Sequence, residues 1–162
     1  MKLKSYLIAA AVSATAALPA FADIEIEHAY VRVVSPVAKS GAAFMHIMNT
    51  GPEDDRLIGA TASIAKVAEL HTHIMEDGIA KMREVEGGRP VAAGDVLILE
   101  RGGFHVMMMG VTPGVKEGDI ITMTLTFEKA GDITIEVPVN NGEVEMPMHN
   151  NDVMHGEGMT HN

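Results

Sequence analysis

The chain has 162 residues, with 13 Met, 8 His, no Cys and a formal net charge of −10. The length suits one domain or two small ones. The missing Cys excludes disulfides, thiolate nucleophiles, iron–sulfur clusters and Cys-based zinc sites, and the acidic charge with so few aromatics argues against nucleic-acid binding.

Lys2 and Lys4 precede an apolar, Ala-rich run from Tyr6 to Leu18, which ends in Pro19 and Ala20-Phe21-Ala22. A basic start, a short apolar stretch and a small-x-small end read as a secretory signal peptide, residues 1–22, cleaved after Ala22. The run is too short and too Ala-rich to span a bilayer comfortably. Cleavage leaves 140 residues, and the loss of Lys2 and Lys4 takes the net charge from −10 to −12. The expected product is an exported, periplasmic, acidic domain. It has no later segment apolar enough to span a membrane and enough length to bury a core without disulfides.

The mature chain reads as β throughout, in short alternating runs separated by Gly, Pro, Asn and Asp. Strands are expected at His28–Val34, Ala42–Met48, Arg56–Ala62, Ala68–Met75, Ile79–Val85, Val96–Leu99, Phe104–Met109, Ile120–Phe127 and Ile133–Val137. Asp77-Gly78 is a hairpin signal, and Ala60–Ala68 is the best place for a helical turn. This pattern predicts an all-β antiparallel sandwich or barrel spanning residues 23–139. From Asn140 the alternation stops. Met146–Asn162 holds four Met and three His in 17 residues, so residues 140–162 read as a flexible His/Met-rich tail.

Two segments concentrate the chemistry. In Glu69-Leu70-His71-Thr72-His73-Ile74-Met75, strand parity puts His71, His73 and Met75 on one face. In Phe104-His105-Val106-Met107-Met108-Met109 it puts His105, Met107 and Met109 on one face, with Phe104, Val106 and Met108 on the other. Lys81-Met82-Arg83 lies just across the Asp77-Gly78 turn. A thioether is a soft, neutral ligand that suits Cu(I) and adds little for zinc, magnesium or calcium. Met is equally a core filler; Met45, Met48, Met108 and Met123 read as core, and His28 and His46 as structural or surface. Composition alone leaves His71, Met82, His105 and Met107 open, and parity does not force His73, Met75 or Met109 into a site.

A resemblance narrows the choice. Ala29-Tyr30-Val31-Arg32, Gly41-Ala42-Ala43-Phe44, Asn49-Thr50-Gly51, Asp55-Arg56-Leu57, Glu69-Leu70-His71, Met82-Arg83-x-Val85 and Gly102-Gly103-x-His105-Val106-Met107-x-Met109-Gly110 resemble the periplasmic PCu(A)C copper-chaperone family over about Ile24 to Val139. Ten residues separate His71 from Met82, and 22 separate Met82 from His105. The resemblance implies a cupredoxin-like Greek-key β-sandwich with no enzymatic activity, binding Cu(I) through His71, Met82, His105 and Met107. It implies delivery to a cuproenzyme, notably the dinuclear copper centre of the cytochrome c oxidase copper subunit, with another copper-assembly protein as a further partner. Copper buffering for tolerance would use the same site. In the tail, His149, His155 and His161 could take Cu(II), and Met146, Met148, Met154 and Met159 could take Cu(I). The absent Cys excludes a thiol reductase and argues against a blue-copper electron carrier, whose strong Cu–thiolate bond needs Cys.

Overall fold

The structure is a computed structural model that describes residues 23–142. The signal-peptide and His/Met-tail expectations therefore lie outside the described residues, except for the first three tail positions. Among the described residues there is no helix, and ten strands form two antiparallel sheets. The strands are β1 Ile24–Arg32, β2 Ser40–Asn49, β3 Asp55–Ala62, β4 Val67–Glu76, β5 Ile79–Glu84, β6 Arg89–Val91, β7 Val96–Leu99, β8 His105–Met109, β9 Ile120–Phe127 and β10 Gly131–Pro138. One sheet runs β1-β2-β8-β4-β5, with β7 also on β2; the other runs β10-β9-β3-β6. This is the expected cupredoxin-like antiparallel sandwich.

Alternation decides what lies between the sheets. From the first sheet come Val31, Ala43, Met45, Ile47, Leu70, Val106 and Met108; from the second come Leu57, Ile121, Met123, Leu125, Phe127 and Val137, all buried. Burying one such side chain is worth about 1.5–3 kcal/mol. Met45, Met108 and Met123 are fully enclosed, as core methionines should be, whereas Met48 is only half-buried.

Three features depart from the sequence reading. The proposed helical turn within Ala60–Ala68 is a β-turn, closed by the Ala65 amide on the Ala62 carbonyl at 3.1 Å. The Arg89-Pro90-Val91 strand was not foreseen: it is three residues long and contains a proline, and it pairs only with β3, at the sheet edge where Pro is tolerated. Strand β1 starts four residues early, at Ile24, and is broken by a register shift near His28, whose φ is 53°.

Two buried polar residues tie the loops. Asn49 donates from Nδ2 to the carbonyls of Glu53 and Val91, at 2.7 and 3.0 Å, and its Oδ1 accepts from the Gly51 amide. Asp55 accepts three amides, those of Arg56 and Lys129 on Oδ1 and that of Ala130 on Oδ2. The Asn49-Thr50-Gly51 and Asp55-Arg56-Leu57 motifs are thus loop anchors.

Candidate metal centre

The first sheet has one face on the core and one face turned outward, and its register places the outward side chains in rows. Paired antiparallel residues share a face. Arg32, Ala42, Met107 and Glu69 form one row across β1, β2, β8 and β4. His105, His71 and Glu84 form the next across β8, β4 and β5. His73 and Met82 are direct partners in the row after that. Met109 opposes Ser40 and Val67 on one side of this block, and Met75 opposes Ala80 on the other. The Asp77-Gly78 turn that brings Met82 beside β4 has φ of 53° and 76°, the two left-handed positions of a type I′ hairpin.

The imidazoles converge on His105. Its ring centre lies 6.2 Å from that of His71 and 5.4 Å from that of His73. The turn between β7 and β8, closed by the Gly103 amide on the Glu100 carbonyl, aims the Gly103 carbonyl at two rings. His105 Nδ1 lies 3.0 Å from that oxygen and His73 Nδ1 lies 3.4 Å from it. A carbonyl only accepts, so the neutral form of each ring has its proton on Nδ1 and its lone pair on Nε2. His71 is oriented the other way. Its Nε2 lies 3.0 Å from Glu69 Oε2, which leaves Nδ1 buried and without a hydrogen-bond partner. Hydrogen-bonding one ring nitrogen to a carbonyl or carboxylate is how proteins fix a ligating imidazole.

Burial holds His105 below the ordinary imidazole pKa of 6.5; the Gly103 hydrogen bond opposes this, and the nearby His73 and His71 reinforce it. The neutral ring, the form that can donate a lone pair, is the favoured one.

His105, Met107, Met82 and His73 line a single cleft of about 350 Å³. His71 does not line it, although its ring faces that of His105. The structure therefore brings Met82, His105 and Met107 to one opening and places His71 beside His105, outside the lining. Met75 is 69% exposed and sits a row away. Met82 is 49% exposed, so its thioether is open to solvent. Among the described residues no three His, Asp or Glu side chains are placed to hold an ion together. A metal bound in this cleft would draw on thioether sulfur. The donor set, two sulfurs and imidazoles with fixed lone pairs, fits Cu(I) chemically. The Gly103 carbonyl and the Glu69 carboxylate that orient the rings were not legible in the sequence, nor was the direct pairing of His73 with Met82.

A family model described as "Putative lipoprotein LpqE-like" matches residues 24–139. The protein named "Putative lipoprotein Lxx21020" of Leifsonia xyli subsp. xyli is 33% identical over 120 residues, covering 73% of this chain and 70% of that protein. Among solved structures, the Cu(I) form of DR1885 from Deinococcus radiodurans is 28% identical with a TM-score of 0.58, over 78% of this chain and 82% of that one. The copper-bound PCuAC domain from PmoF2 is 24% identical with a TM-score of 0.61, over 76% of this chain and 97% of that one. The chain belongs to the LpqE-like family and has the fold of a PCuAC domain.

Proposed function

We propose that this protein is an exported, non-enzymatic copper chaperone that carries Cu(I) on His71, Met82, His105 and Met107. The observation that carries the reading is the convergence of Met82, Met107 and His105 on one cleft, with the buried, unpartnered Nδ1 on His71, the strand partner of His105. The copper-bound state of the PmoF2 domain and of DR1885 supports it. In this mechanism copper is cargo. Neutral imidazoles and thioethers bind it without placing negative charge at the metal, so the ligands stay exchangeable. The half-exposed Met82 offers a partner a first point of access. Copper reaches the site in a compartment where a thiol would be oxidised, and the 162 residues contain no Cys.

The acceptor we favour is a cuproenzyme, the copper subunit of cytochrome c oxidase, with the periplasm as the place of transfer after removal of residues 1–22. His149, His155, His161, Met146, Met148, Met154 and Met159 would gather Cu(II) or Cu(I) and raise its concentration at the cleft by tethering. Competition with a Cu(I)-specific chelator tests the site. His105→Ala and Met107→Ala should each lose binding, and unchanged binding in both would reject these ligands. Transfer from the loaded protein to an apo oxidase copper domain tests delivery; tight binding with no transfer would favour buffering. Comparing the mature chain with a version ending at Gly142 tests the tail, and equal copper stoichiometry in both oxidation states would remove it from the mechanism. The cut belongs after Gly142 because the Asn140 amide bonds the Val31 carbonyl and Asn141 Oδ1 accepts from the Val33 amide.

A further inference from the structure

The same cleft holds a second kind of chemistry. Arg32, at the β1 end of the Arg32–Ala42–Met107 row, and Arg101, from the turn before β8, both line it. Arg56, Lys81, Arg83 and Lys129 each have a carboxylate partner. Among the described residues Arg32 and Arg101 form no ion pair, although the whole chain carries a net charge of −10. Arg32 Nε is buried without a hydrogen-bond partner. Both cations also bear on the Tyr30 phenol: burial raises its pKa, and Arg101 and Arg32 pull it back. Two arginines lining one opening make it electropositive, and a buried N–H with no acceptor is costly. An oxyanion between them would relieve both. The small Ala42 stands next to Arg32 in its row, and Val34 and Phe44 add apolar lining. A guanidinium fork matches the two oxygens of a carboxylate.

We propose that this cleft binds a carboxylate between Arg32 and Arg101, next to the thioethers of Met107 and Met82. The proposal stands on the arginines and does not require copper. One source of the carboxylate is the chain itself. Asn140 and Asn141 run beside β1 at Val31 and Val33, and Glu143 and Glu145 follow in the sequence. A tethered ligand has a high effective concentration. The other source is a carboxylate from outside the chain.

The test follows the arginine Nε–H resonances of the full mature chain by nitrogen-15 NMR, with acetate as the external probe. If the chain supplies the ligand, the Arg32 Nε–H signal shifts in Glu143→Gln/Glu145→Gln and added acetate restores it. If the ligand is external, the double variant changes nothing and acetate alone moves the signal. In either case acetate should bind about tenfold more weakly to Arg101→Met. The response should persist in Arg56→Gln, on the other sheet, and be absent with sodium chloride at matched ionic strength. An Arg32 Nε–H signal insensitive to both the double variant and acetate overturns the proposal, as does an equal response in Arg101→Met. Cu(I) competition on the same samples reads the copper assignment separately: loss of copper binding with an intact acetate response would reject only that assignment.

Discussion

Glu69 is the residue whose replacement tests the site most sharply, because it does not contact the cleft yet fixes a ligand. Its Oε2 lies 3.0 Å from His71 Nε2, so the carboxylate holds the proton on Nε2 and leaves Nδ1 as the lone pair. The pair is partly sheltered, with side-chain exposures of 31% and 15%. Glu69→Leu frees the ring to change tautomer and to turn. Removing such an orienting partner costs about 10–100-fold in metal affinity, which is about 1.4–2.7 kcal/mol. Glu69→Gln can still accept from Nε2–H through its amide oxygen, so it should fall at the low end of that range. The assay is Cu(I) chelator competition, read together with the His71 ring-nitrogen shifts of the metal-free protein. A Glu69→Leu variant that keeps wild-type Cu(I) affinity, or keeps the Nε2–H tautomer, would refute the reasoning.

Three further outcomes are expected. Asp55→Ala strips an acceptor from three amides and should lower unfolding stability by about 3 kcal/mol in urea titration, while Cu(I) affinity of the folded variant stays unchanged. Gly41→Ala puts a methyl carbon 2.9 Å from the Arg32 carbonyl and 3.0 Å from Val33 Cγ2. It should cost about 1–3 kcal/mol by the same titration, and no loss would mean that β1 yields. His105 has its pKa lowered by burial, so the unfolded chain binds the proton more readily than the folded one. The stability this contributes is complete above about pH 6.5 and is lost as pH falls from there toward the depressed folded value. Denaturant titrations from pH 7.5 down to 5 should show that decline, and His105→Phe should reduce it.

Much of the fold was legible because one physical rule dominates it. A half-buried strand must alternate, and β9, for example, does so from Ile120 to Phe127. The same rule assigned His105 and Met107 to one face and Val106 and Met108 to the other, and the cleft is lined by the first pair while the second lies in the core. What alternation cannot convey is which strand lies beside which. β8 sits between β2 and β4, from distant parts of the chain, and only that order sets His71 against His105. Nor does alternation reveal backbone atoms: the Gly103 carbonyl that orients two imidazoles has no side-chain signature. Arg32 passed as part of a strand motif, because its unsatisfied Nε is a property of the cleft and not of the residue. Asn49 and Asp55 stood out only as parts of short motifs, and their hydrogen bonds to distant loop and strand backbone appear only once the loops are packed.

The proposed ligands are not equally well anchored. His105 and Met107 stand on β8, which is hydrogen-bonded on both sides, to β2 and β4. Met82 stands on β5, which closes one end of the sheet and pairs with β4 alone. Lys81 and Arg83 on either side of Met82 are clipped to Glu76, at 2.6 and 3.1 Å, across the hairpin's opposite face. Segments held along one edge open with far less free energy than strands in the middle of a sheet. Strand β5 can therefore peel away from β4 while the sandwich stays folded, and it would take one sulfur with it. Release would proceed by loss of a single donor at the rim, on the timescale of hairpin opening, with no need to breach the core. Amide hydrogen exchange should register this as faster opening in Ile79–Glu84 than in His105–Met109.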